Sequence, residues 1–105
     1  MPSTTPAAFQ ILLALVDDER HGLGILEEIE TRTGTALPIG TLYRSLKALV
    51  DDQMIVPVAR PAASGDDPRR RYYALTSRGR AAVREEARNA QRLVVWARAR
   101  KVLGP

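Results

Sequence analysis

Cysteine is absent from this 105-residue chain, which rules out disulfides, thiol chemistry and cysteine-ligated metals. Histidine occurs once, at position 21, too few for the clusters of nitrogen and sulfur ligands on which zinc sites draw. No nucleophile–base pair can be assembled from what remains, so neither an enzyme nor a cofactor is expected. Long hydrophobic runs are missing too. Residues 7–16 form the longest nearly uncharged apolar stretch, well short of the ~20 residues that a bilayer-spanning helix needs. No basic segment precedes that stretch, and no internal repeat or low-complexity linker breaks the chain. The expectation is a single soluble, cytoplasmic domain with a modest core.

What is present is basic and unevenly placed. Residues 1–68 hold 5 Arg/Lys against 10 Asp/Glu, a local net of −5, and residues 69–105 hold 11 against 2, a local net of +9; together they give the chain's +4. That asymmetry points to a polyanionic partner engaged mainly by the second half. The arginines after residue 78 also suit a solvated helix face. Arg69, Arg70 and Arg71 do not, because they precede a β-prone run.

Local signals order the elements. Thr5 is an N-cap signal and Pro6 sits at the first helical position, where a missing N–H costs nothing. The helix that follows is apolar almost all round and must be covered on more than one side; a second subunit would supply that cover. Residues 17–22 read as a polar turn. A second helix spans about residues 22–32, with Leu23, Ile25, Leu26 and Ile29 as its apolar set and Gly34 as C-cap. After a tight turn at residues 37–40, a third helix over about 39–52 repeats Leu42, Leu46, Leu49 and Val50 on one face. Residues 54–60 read as a strand in which Pro57 marks an edge, residues 61–68 as a turn-rich tip, and residues 69–75 as the partner strand. Tyr72 and Tyr73 then point to opposite sheet faces, at least one of them into packing. Thr76 caps a last helix of roughly 25 residues, whose stripe Val83, Ala87, Ala90, Val94 and Ala97 follows the seven-residue spacing of a helix–helix seam. Leu93 and Trp96 widen that stripe.

Three helices, a basic hairpin and a long helix give a mainly α (α+β) chain: a winged helix-turn-helix with a two-stranded β-wing and a long C-terminal dimerisation helix. Residues 5–76 are expected to form the DNA-binding domain and residues 77–103 the dimerisation helix of the same compact unit. The exposed side chains of the third helix are Thr41, Tyr43, Arg44, Ser45, Lys47 and Ala48. Thr41 and Tyr43 can donate to phosphates or bases, Arg44 suits a bidentate contact to guanine, and Lys47 can neutralise a phosphate. Arg69, Arg70 and Arg71 would follow the flanking backbone or a minor groove of double-stranded DNA. His21, beside a glycine turn, reads as a hydrogen-bonded structural residue.

The segments Gly40-Thr41-Leu42-Tyr43 and Arg71-Tyr72-Tyr73-Ala74-Leu75-Thr76, with His21-Gly22, Ile25, Ile29, Gly34, Leu46, Leu49, Ile55 and Gly79, resemble the PadR-type transcriptional regulators, in the short form with one C-terminal helix. The resemblance covers about residues 11–88. It implies a dimeric winged-helix repressor on a palindromic operator, released in some members by a small phenolic or aromatic effector. It carries DNA-binding roles onto Thr41, Tyr43, Arg44, Lys47 and Arg69 to Arg71, and leaves Gly40 to the backbone turn. The dimer or effector surface is expected at Phe9, Leu12, Val83, Ala90, Leu93, Val94 and Trp96. Leu23 replaces the tyrosine usual after His-Gly, and Gly24 follows inside the helix at a cost of ~1 kcal/mol relative to alanine. Gln53 stands where glycine is common, so a left-handed backbone there would cost roughly 1–2 kcal/mol. The alternative from another class is a winged-helix protein–protein adaptor without DNA binding, its acidic second helix meeting a basic partner.

Overall fold

A computed structural model describes residues 5–59 and 70–104. The elements run α1 (Pro6–Ala14), β1 (Arg20–His21), α2 (Gly22–Thr33), α3 (Ile39–Asp51), β2 (Ile55–Val58), β3 (Tyr72–Leu75) and α4 (Ser77–Ala99). The expected order holds, with one addition. The sheet has three strands rather than two: β1 lies antiparallel to β3 through Arg20↔Tyr73 and His21↔Tyr72, and β2 lies antiparallel on its other side through Ile55↔Leu75 to Val58↔Tyr72. Pro57 therefore sits on an edge strand, where its missing N–H removes no ladder bond that the sheet needs.

The helix ends follow from the capping residues. Thr5 Oγ1 accepts the Ala8 N–H and Pro6 opens α1. Gly34 closes α2 in the left-handed region at φ 74°. At the end of α3 the Met54 N–H donates to the Leu49 carbonyl and the Gln53 N–H to that of Val50. This is the paired Schellman pattern, which needs a left-handed residue between its two bonds. Gln53 supplies it at φ 60°, without glycine's freedom.

The core gathers Ile11 and Leu12 of α1, Ile25 and Ile29 of α2, Leu42, Leu46 and Leu49 of α3, Ile55 of β2 and Val83 of α4. Helix α1 is the hub, touching α2, α3 and α4. Its buried face is thus covered within the chain, while Leu13 stays 46% exposed. Leu12 is 0% and Val83 6% exposed within the chain's own core, so neither can form an intersubunit surface. An apolar helix can be covered from several sides by one chain when three neighbours surround it.

Beyond the head, α4 runs on alone. Its 23 residues reach ~34 Å at the helical rise, and the molecule measures 52 × 29 × 24 Å. The radius of gyration, 15.3 Å, exceeds the ~13 Å of a compact chain of this length. Among the described residues no helix is long and apolar enough to cross a membrane.

Candidate nucleic-acid interface

Helix α3 buries its leucine face and turns Tyr43, Arg44 and Lys47 outward, with Thr41 half-buried. Near its N-terminus the Arg44 guanidinium folds back so that Nη2 lies 3.3 Å from Thr41 Oγ1. Gly40 lies beside that guanidinium. It does not serve a turn, since it lies inside the first turn of α3 and is not among the glycines with positive φ. A side chain at position 40 would instead bring its Cβ to 3.3 Å from Arg44 Nη1. The turn reading of Gly40 is thus replaced by one of space.

Lys47 is less available than its exposure suggests. Its Nζ pairs with Asp51 Oδ2 at 3.0 Å, one helical turn on. Both side chains face solvent, and such a pair contributes ~0–1 kcal/mol, so a phosphate can displace the carboxylate. Asp51 was readable from its i, i+4 spacing.

The wing's base approaches α3 across a cleft of about 270 Å³ lined by His21, Gly22, Leu23, Tyr43, Arg70, Arg71 and Tyr73. Arg70 Nη1 lies 3.2 Å from His21 Nε2. The His21 ring meets Tyr72 edge-on at 5.2 Å, and Tyr72 is buried while Tyr73 is only half-buried. Tyr43, Arg70 and Arg71 are therefore brought together, with Thr41 and Arg44 at the N-terminal end of the same helix. Arg69 lies outside the described residues.

Other cations of the head are committed to structure. Arg20 Nε donates to the Ala14 carbonyl at 2.7 Å, and its Nη2 lies 3.6 Å from both Asp17 and Glu28. Arg32 donates to Glu28 at 2.8 Å, and that hydrogen bond and charge raise the guanidinium's pKa above its ordinary value. Among the described residues, by contrast, no carboxylate pairs with Arg44, Arg70 or Arg71.

The expected dimer residues divide. Leu12 and Val83 are core, Phe9 packs against the core half-buried, and Ala90 is half-buried on α4. Leu93, Val94 and Trp96 are exposed, together with Val95, Val102 and Leu103, which sequence reasoning passed over. Leu13 of α1 and Val16 just beyond it, 46% and 40% exposed, border an apolar groove of about 410 Å³ between α1 and α2.

A trihelical head with a β-wing, with cations on the third helix and at the wing's base that pair with no carboxylate among the described residues, is the build of the winged helix-turn-helix class. Comparison with known proteins narrows the class. The model of the transcriptional regulator PadR-like family matches residues 11–85. Transcriptional regulator Rv3488 of Mycobacterium tuberculosis is 37% identical over 94 residues, spanning 90% of this chain and 79% of that protein. The chain belongs to the PadR-like family of transcriptional regulators. Among solved structures, a PadR family regulator from Clostridium difficile superposes with a TM-score of 0.80 at 23% identity, covering 95% of this chain and all of that one. Bacillus subtilis PadR, solved in complex with operator DNA, superposes at 0.67 and 19% identity, over 80% of this chain and 48% of its own.

Proposed function

We propose that this regulator binds double-stranded DNA sequence-specifically as a homodimer, represses transcription from a palindromic operator, and is released by a flat aromatic effector. The observation that carries the reading is that Arg44 on α3 and Arg70 and Arg71 at the wing pair with no carboxylate among the described residues, the last two lining one cleft with Tyr43. Elsewhere in the head, Lys47 and Arg32 each pair with a carboxylate one helical turn away. With no carboxylate partner among the described residues, Arg44, Arg70 and Arg71 can engage a polyanion. In a symmetric dimer the two α3 helices would enter successive major grooves about one helical turn (~34 Å) apart.

Arg44 and Arg70 should fail differently when removed. Arg44→Ala should cost ~1–3 kcal/mol of discrimination between the preferred duplex and its single-base variants. Arg70→Ala should weaken all duplexes alike and reduce the salt slope by roughly one, since one fewer counterion is released. Salt titrations on selected and scrambled duplexes measure both. Wild-type affinity and slope in both variants would refute the contact assignment, and a chain that binds no duplex at low salt would point to the adaptor instead.

Trp96, the only tryptophan, is 58% exposed on the free part of α4, where a dimer seam would enclose it against the partner. A flat aromatic ligand stacking there gains area burial in an apolar pocket. Titration with phenolic and fused-ring probes should quench Trp96 fluorescence and release DNA over one concentration range. Quenching that leaves DNA affinity unchanged counts against the effector role.

A further inference from the structure

His21 holds a place between two donors. Its Nδ1 accepts the Gly24 N–H at 3.1 Å and so caps α2. A neutral imidazole has one acceptor and one N–H; with Nδ1 accepting, Nε2 must carry the hydrogen. Arg70 Nη1, which can only donate, nevertheless lies 3.2 Å from Nε2. The two cannot bond to each other in this tautomer. They are two donors side by side, placed to meet oxygens of one acceptor group.

The surroundings specify that acceptor. Arg71 and the Tyr43 hydroxyl border the same cleft, as do Gly22 and Leu23, whose N–H groups belong to the first turn of α2 and have no intrahelical acceptor. None of the seven lining residues is acidic. We infer that His21 and Arg70 together bind a phosphodiester group of the duplex, each donating to one of its non-bridging oxygens. This rests on the DNA-binding reading and extends it: His21 is a contact residue as well as a cap. The cap sets the tautomer, so the fold of α2 presents Nε2–H outward to the ligand.

The single histidine makes the test direct, because the imidazole 15N signals come from one residue. The expected result on wild-type protein is an Nε2–H tautomer whose Nε2 signal shifts saturably as a random-sequence 20-bp duplex is added. His21→Asn keeps a capping oxygen but loses the reaching donor. It should retain its unfolding temperature within a few degrees, and bind every duplex roughly tenfold more weakly with an unchanged salt slope, since no charge is removed. An Nδ1–H tautomer, an Nε2 signal indifferent to the duplex, or wild-type affinity in the variant would each overturn the inference. A parallel titration with inorganic phosphate separates the sources: a shift with free phosphate and none with the duplex also overturns it. Duplex binding by the wild type with no loss in His21→Asn defeats the His21 assignment alone, whereas a wild type that binds no duplex defeats the DNA reading beneath it.

Discussion

Exchanging Leu93 and Trp96 for glutamate together should leave a folded monomer whose affinity for a full palindromic operator is lower by on the order of 10²- to 10³-fold. The two positions are 56% and 58% exposed and lie three residues apart on the part of α4 that projects past the head, so the core from Ile11 to Val83 does not feel them. Glutamate is a good helix former, and α4 itself should persist. What changes is the proposed seam. Each buried apolar side chain contributes ~1.5–3 kcal/mol, and a carboxylate forced into the same place must stay hydrated or be desolvated at a cost of several kcal/mol. On both subunits of a symmetric seam the effect is doubled. Losing the proposed dimer would remove the effective concentration that one bound head gives the other, which is worth 10²–10⁴ in avidity. Sedimentation equilibrium reports the first consequence and titration of full-site against half-site duplexes the second. A dimer that survives, or a full-site affinity that does not fall while half-site affinity is retained, would show that this face of α4 is not the seam.

That prediction uses the part of the chain where sequence and structure agree least evenly. The seven-residue stripe on α4 was legible, but the sequence does not say where a helix leaves its own domain. Val83 and Val94 look alike in the pattern; one is sealed beneath α1 and the other is 42% exposed. Leu12 was misplaced for a related reason, since an apolar helix announces that it is covered and not by whom. Capping residues were read with more success. Thr5, Gly34 and Thr76 all end or begin helices as their local chemistry dictates, because those interactions span three or four residues. Strand β1 is two residues long and owes its existence to a pairing across more than fifty positions, so no local pattern could disclose it.

The candidate interface shows the same division. Tyr43, Arg44 and Lys47 followed from helical periodicity once the leucine face of α3 was known. The Lys47–Asp51 pair was equally readable and was missed. The meeting of His21 with Arg70 was not readable at all, for it depends on β1 and β3 lying side by side. Arg69 remains a reading from sequence, outside the described residues.

Alanine should have opposite effects at two helical glycines, Gly79 and Gly24, and the contrast tests how α4 is joined to the reading helix. Thr76 Oγ1 accepts the Gly79 N–H at 3.0 Å and lies 2.6 Å from the Gln53 carbonyl and 3.0 Å from that of Met54, to one of which it donates. The Thr76 N–H also donates to Met54 O. Helix α4 thus starts directly on the C-terminal cap of α3, and an added Cβ at Gly79 would run into the Met54 carbonyl. Helix propensity alone favours alanine by ~1 kcal/mol. Overlap with a backbone atom that the α3 cap holds in place costs ~1–3 kcal/mol or more, and disturbing the Thr76 cap adds ~1 kcal/mol. The overlap wins, and Gly79→Ala should lose roughly 3 kcal/mol, a fall of about 10–20 °C in melting temperature for a domain of this size. At Gly24 the nearest atoms to an added Cβ are the His21 ring and the Arg20 side chain at 3.6 and 3.7 Å, ordinary contact distances. Propensity is unopposed there, so Gly24→Ala should gain ~0.5–1 kcal/mol. Thermal and urea unfolding of the two variants decide the matter. A stabilised Gly79→Ala would mean that the α3–α4 joint can open by an ångström or more without loss, and α4 could not then fix the orientation of α3. A destabilised Gly79→Ala beside a stabilised Gly24→Ala would make that joint rigid, so that in the proposed dimer the seam would set the spacing at which the two α3 helices meet DNA.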